Sequence, residues 1–275
     1  MYKSALDCDS SIADIFRRQK FLKEFRRSHP GYFEPIGTMI FCGSQGSGKT
    51  LSAVNYVCNV LRDFPSALLV TNVKITDYPF NTGYSVDKAG VCHLFDLATK
   101  EVLQLNDLGN YGHGRVIEYD GLDTLKYICN SYFGVIYLID ELHLELNSLE
   151  SKNIDIDVMT EISQQRKQRK HIVGTSQVYM RLAKPLREQI FDVVLCKNYF
   201  GFLQFNKVID GETATEKDGK LQCTVKKHCI WIHKPSYYQR YDTFAKMKRY
   251  NKEWQGHKHE PSSTFNFTVK GSDNK

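Results

Sequence analysis

The octapeptide Gly43-Ser44-Gln45-Gly46-Ser47-Gly48-Lys49-Thr50 constrains this chain more than any other segment. Its pattern, G-x-x-x-x-G-K-[ST], sets a glycine-rich backbone, an ammonium and a hydroxyl where a nucleoside triphosphate needs them. It works only between a buried strand and the start of a helix. Both flanks meet that demand. Residues 38–42 (TMIFC) form a short apolar run that reads as a strand, and residues 49–64 repeat Leu51, Val54, Val57 and Leu61 at helical spacing until Pro65 stops them. The loop amides of residues 44 to 49 and the helix N-terminus then face the phosphates. Lys49 reaches the β and γ oxygens, and Thr50 ligates magnesium. The expected nucleotide-binding residues are Gly43, Ser44, Gln45, Gly46, Ser47, Gly48, Lys49 and Thr50, with ATP or GTP as ligand. An ordinary glycine-rich turn before a helix is the bland alternative, and the full motif with its flanks argues against it.

Residues 67–75 read as a second strand, and residues 76–115, rich in Gly and Pro, as a loop-rich insertion with one short helix over 94–103. A helix is expected over 122–132. Residues 134–139 (GVIYLI) form a continuous apolar run of the kind found in central parallel strands. That run ends in Asp140-Glu141, an acidic pair of the Walker B type. Asp140 is expected to hold magnesium together with Thr50, and Glu141 to deprotonate the attacking water; an acidic pair that merely caps the next segment is the alternative. A charge-rich helix over 155–170 and a strand over 171–177 follow. Gln177 at that strand's end is a candidate sensor of the γ-phosphate, or a residue that simply ends a strand. Arg166, Arg169 and Arg187 are candidates for an arginine that crosses to a neighbour's nucleotide, each to be weighed against a plain surface role.

The 275 residues, 41% hydrophobic, suit one sizeable α/β domain with elaborations. No apolar run approaches the ~20 residues that cross a bilayer, and the N-terminus lacks a secretory core, so a soluble cytoplasmic chain is expected. The eight cysteines are scattered, which suits reduced thiols. Cys223, His228, Cys229 and His233 crowd together without a common zinc spacing. Residues 216 to 275 carry 13 Lys/Arg against 6 Asp/Glu, interleaved with Trp231, Tyr237, Tyr238, Tyr241 and Trp254. That composition suits phosphate contact with base stacking, or else a solvated hairpin and helix. A second basic cluster, Arg17, Arg18, Lys20, Lys23, Arg26 and Arg27, lies on a predicted helix with an apolar face of Ile12, Phe16, Phe21, Leu22 and Phe25. Such a helix docks on the core or a neighbouring subunit, or meets nucleic acid or an anionic surface.

The order GSQGSGKT, a strand with Thr71-Asn72, YLIDELH, QQRKQRKHI, VGTSQ, then KPLREQI leading into DVVLC, resembles the FtsK/HerA superfamily of P-loop motors over roughly residues 35 to 200. Within it the chain looks most like viral members, the DNA-packaging ATPases of membrane-containing phages and the Zot-like assembly proteins of filamentous phages; Tyr241-Asp242-Thr243 looks like the tail of Zot-type ATPase domains. The resemblance implies an α/β fold with a RecA-like P-loop NTPase core. That fold has a mostly parallel central sheet with helices on both faces, plus an N-terminal basic helix and a C-terminal β/helix extension. It implies ATP and Mg2+ as cofactors, DNA as partner, a homo-oligomeric ring, usually a hexamer, and capsid or portal-vertex proteins as further partners. Location would be the host cytoplasm or the virion packaging vertex. The lack of a transmembrane helix departs from Zot-like proteins and favours a packaging motor over an extrusion factor. The expected division is 1–30 basic helix, 31–250 ATPase domain and 251–275 polar tail.

Rivals are weaker. A guanine reader is missing, since Asn206-Lys207-Val208-Ile209-Asp210 is one residue too long for Asn-Lys-x-Asp. A small-molecule kinase needs lid arginines, and the 76–115 insertion offers only Arg115. A scaffold that binds ATP without cycling has no use for Glu141.

Overall fold

The computed structural model describes residues 12–241 except 30, 36, 108, 150–153 and 218–219. The expected tail at 251–275 lies outside the described residues, as do Arg26's side chain and most of the C-terminal cations.

A ten-stranded sheet forms the centre, and its order explains where a ligand can sit. The strands are β1 (Thr38–Cys42), β2 (Leu68–Thr71), β3 (Thr82–Val86), β4 (Cys92–Asp96), β5 (Val116–Glu118), β6 (Val135–Ile139), β7 (Lys170–Ser176), β8 (Ile190–Tyr199), β9 (Leu203–Asp210) and, beyond a small hairpin of β10 (Thr215–Lys217) and β11 (Lys220–Gln222), β12 (Val225–Ile232). They lie side by side as β12-β9-β8-β1-β7-β6-β2-β5-β3-β4. From β8 to β5 all neighbours run parallel, while β9 and β12 extend one edge in antiparallel sense and β4 closes the other. Strand β7 stands between the phosphate-loop strand β1 and the acidic strand β6. This is a RecA-like P-loop core, with the carboxyl ends of its parallel strands opening on one edge.

Side-chain alternation divides the interior into two cores, one per face. Met39 and Phe41 of β1 pack with Ala53, Val54, Val57 and Leu61 of α2 (Lys49–Asp63), whereas Ile40 and Cys42 face the other side. There Leu125 of α3 (Thr124–Tyr127), Val158 and Ile162 of α4 (Ile156–Gln164) and Leu186 of α5 (Lys184–Arg187) cover Val135, Tyr137 and Ile139. Each aliphatic side chain so enclosed contributes about 1.5–3 kcal/mol. Among the described residues the remaining helices are α1 (Ile12–Ser28) and α6 (Pro235–Tyr238).

Three expectations change. Residues 94–103 are not helical: β4 pairs with β3 as a hairpin, and Phe95 bridges Val102. The apolar spacing there belongs to a strand whose Leu94 is buried while its neighbours are not. The helix expected over 122–132 is one turn long, because Asn130 leaves it to serve three backbone groups. It accepts from Tyr111 N–H at 2.8 Å and donates to Ser66 O and Gly134 O. The helix expected to reach residue 170 stops at Gln164. Gln165 turns inward to accept from Thr38 Oγ1 at 2.8 Å, and Arg169 takes a left-handed φ of 55°.

Candidate nucleotide site

The carboxyl edge gathers residues that the sequence holds far apart. Gly43 N–H donates to Ser176 O, tying the start of the loop to the end of β7. Gly48 enters α2 with φ 77°, and a Cβ there would stand 2.1 Å from Gln204 Oε1, so only glycine fits. Behind it Lys49 and Thr50 occupy the first turn of α2. Thr50 Oγ1 donates to Asp140 Oδ1 at 3.0 Å, and Lys49 Nζ lies 3.2 Å from Glu141 Oε1. Lys49 is 8% exposed, so its ammonium is held at the mouth of the loop by a nearly buried carboxylate.

Two polar residues hold the acidic pair in place. Asn72, just past β2, accepts from Asp140 N–H at 2.8 Å and donates to Asp140 O at 3.1 Å. Thr175 Oγ1 accepts from Glu141 N–H at 2.8 Å and donates to Asp140 Oδ1. Glu141 itself has φ 54°, a conformation a non-glycine residue adopts only under constraint. Burial pushes the Asp140 carboxyl above its ordinary range; the hydrogen bonds from Thr175 and Thr50 oppose the shift, Glu141 adds to it, and Lys49 opposes it. His143 sits one turn on, 5% exposed, its imidazole pushed down by burial although Glu141 pulls the other way.

Polar atoms at this edge lack hydrogen-bond partners inside the protein. Ser47 Oγ, Glu141 Oε2 and His143 Nδ1 are buried with no hydrogen bond, the latter two 3.2 Å apart but out of alignment. Such atoms point to an external partner with oxygen ligands or water, and a phosphate with its cation fits that demand. Thr50 and Asp140 form the oxygen pair suited to magnesium.

The other candidates divide by place. Gln177 follows the last residue of β7 and is exposed at this same edge. Arg169 is at the opposite end of β7, about 20 Å away along the strand. Its guanidinium lies 3.9 Å over the Tyr32 ring and donates to Phe33 O at 3.2 Å, binding the segment that follows α1 to the core. Arg166 is exposed near that end, lining a cavity of about 790 Å³ with Phe21, Phe25 and Tyr32. Arg187 on α5 is half-buried, its Nη1 donating to Met180 Sδ. Arg169 and Arg187 are thus engaged by Tyr32, Phe33 and Met180 rather than by the acidic pair. His228 faces Phe205 and His233 meets Gln204, so the Cys/His group at 223–233 is drawn into ring and amide contacts; among the described residues no three His, Cys, Asp or Glu side chains gather to hold a metal. Gln204 was not singled out from the sequence, and Asn72, His143 and Thr175 stood only within the motifs of the resemblance; polar residues that close apolar strands were the available signal.

No protein-family model and no curated protein matches the chain. Among solved structures, it is similar to the N-terminal domain of zonular occludens toxin from Neisseria meningitidis, at 16% identity and a TM-score of 0.48 over 75% of this chain and 98% of that one. The genome packaging NTPase B204 of Sulfolobus turreted icosahedral virus 2, in complex with ATP-gammaS, is similar at 13% identity and TM-score 0.43, over 72% and 97%. The flagellar accessory protein FlaH of Methanocaldococcus jannaschii gives 12% and 0.37, over 74% and 95%. Among the described residues no helix is long and apolar enough to cross a membrane.

Proposed function

We propose that this chain is a magnesium-dependent ATPase whose hydrolysis moves DNA, acting as a ring of identical subunits in viral genome packaging. One observation carries the ATPase reading. Lys49 and Thr50 on α2 meet Glu141 and Asp140 at the end of β6 within 3.2 Å and 3.0 Å, at the edge where residues 43–48 turn into α2. Magnesium held by Thr50 and Asp140 would supply positive charge to the phosphate oxygens. Lys49 then leaves Glu141 for the β and γ oxygens, and Glu141, whose Oε2 lies 3.2 Å from His143 Nδ1 without a hydrogen bond, takes the proton of the attacking water. Gln177, exposed just past the end of β7, is the residue we assign to report the γ-phosphate. An arginine from the adjoining subunit, Arg166, Arg169 or Arg187, would neutralise charge on the transferred group.

Adenine over guanine is supported by Asn206, which is buried in β9 and spends its amide on Ser52 Oγ and Gln204 rather than on a base. A small-molecule kinase is disfavoured, because Arg115 is paired with Asp96 at 2.9 Å. DNA contact is supported by the exposed Arg17, Arg18, Lys20, Lys23 and Arg27 along α1 and by Lys227 and Lys234 at the far edge. Steady-state hydrolysis with and without double- and single-stranded DNA, with Lys49→Ala as blank, tests both parts. DNA stimulation lost in the variant is expected, and its strand form separates packaging from Zot-like extrusion. Hydrolysis indifferent to either DNA at every protein concentration would sink the motor.

A further inference from the structure

The two antiparallel strands added beside β8 are more than an edge cover. They send a buried amide network into the phosphate loop. Gln204 of β9, wholly buried, donates through Nε2 to Ser47 O at 3.0 Å and to Asn206 Oδ1 at 2.7 Å. Asn206 donates in turn to Ser52 Oγ at 3.1 Å, one turn into α2. On the other side His233, which follows β12, stands with Nε2 3.0 Å from Gln204 Oε1. Because that oxygen can only accept, Nε2 carries the proton, and Nδ1 faces the Tyr238 hydroxyl. The chain beyond α6 then closes over α2, where Arg240 donates to Asn55 Oδ1 at 2.7 Å and Thr76 N–H to Arg240 O at 2.7 Å.

Buried amides are costly unless every donor and acceptor is met, and here each amide of the pair is met on both its oxygen and its nitrogen. An apolar pair would hold β9 against α2 equally well. What the amides add is direction: the Ser47 carbonyl is pinned toward β9, and because the peptide is planar and trans, the Gly48 N–H of the same peptide points to the opposite side, where phosphate oxygens would lie. Gly48 is shaped to the same contact, since any Cβ would displace the Gln204 oxygen.

We propose that Gln204 is a positioning residue for nucleotide binding, holding the Ser47-Gly48 peptide in its phosphate-binding orientation, with Asn206 and His233 fixing the rotamer of its amide. The proposal rests on the reading of this loop as an ATP site. Binding of magnesium ATPγS by calorimetry is measured first for the wild type and Lys49→Ala. Absence of binding by the wild type overturns that reading and this inference with it. Given wild-type binding that Lys49→Ala removes, Gln204→Leu is expected to raise Kd about 10- to 100-fold, while kcat at saturating ATP changes less than about threefold. Gln204→Glu keeps the shape but presents only acceptors to Ser47 O and Asn206 Oδ1. It is expected to bind as weakly as Gln204→Leu at pH 8 and to recover relative to wild type as pH falls and the carboxyl regains a donor. A folded Gln204→Leu or Gln204→Glu protein with Kd within twofold of wild type at pH 8 overturns the proposal.

Discussion

Thr175 and Asp140 share a hydrogen bond across neighbouring strands, from the Thr175 hydroxyl to Asp140 Oδ1, while the same hydroxyl accepts Glu141 N–H at 2.8 Å. One side chain in β7 thus holds the Asp140 carboxylate and the Glu141 backbone just past the end of β6. This is the physical use of a strand inserted between the phosphate-loop strand and the acidic one.

Thr175→Val keeps the volume and removes the hydroxyl, leaving Glu141 N–H unpaired. We expect a loss of about 1–3 kcal/mol in urea unfolding. Magnesium-dependent ATP binding should weaken about 10-fold or more, as when a group that orients a metal ligand is lost. Thr175→Ser should restore both; unchanged magnesium dependence in a folded Thr175→Val protein would remove the role assigned to this hydroxyl.

Glu141→Gln retains the hydrogen-bonding shape but not the base. ATP affinity is expected to hold or tighten, since Lys49 no longer has a carboxylate to leave, while turnover falls about 100-fold or more. Single-turnover hydrolysis alongside equilibrium binding separates the two effects, and turnover near the wild-type rate would exclude Glu141 as the base.

The raised Asp140 carboxyl carries a pH signature. Burial favours its protonated form in the folded protein, so this group supports stability most fully below the ordinary 3.8 and withdraws that support as pH rises through the folded-state value. Asp140→Asn, which keeps an acceptor for Thr50 and Thr175, should therefore raise the stability of the nucleotide-free protein at neutral pH by about 1 kcal/mol and change little below pH ~3.8. Thermal melts across that range, without magnesium, read the difference. A variant less stable than wild type at neutral pH would contradict it.

Arg169→Ala should cost about 1–2 kcal/mol through the lost contact with Tyr32 and the bond to Phe33 O. ATP affinity of the isolated subunit should stay within about twofold, because the residue lies at the far end of β7. Chemical denaturation paired with calorimetry checks this, and a large loss of affinity at unchanged stability would place Arg169 in the site after all.

The nucleotide loop, the acidic pair and the parallel core were legible in the sequence because each is local: a fixed glycine spacing, a helix that must start at Lys49, and an apolar run that must end where Asp140 meets water. What was illegible needed partners from elsewhere. Residues 94–103 have apolar spacing compatible with a helix, yet pairing with Thr82–Val86 makes a strand. Arg166 and Arg169 sit in a cationic run that fits a finger, yet the direction of β7 carries them to the edge away from this subunit's own loop. Gln204 has no local pattern at all, and His233 stands out only in a Cys/His crowd that points elsewhere. Only the antiparallel return of β9 and β12 beside β8 brings them under Ser47, since a hydrogen bond across 157 residues is set by strand order and not by neighbours in the chain.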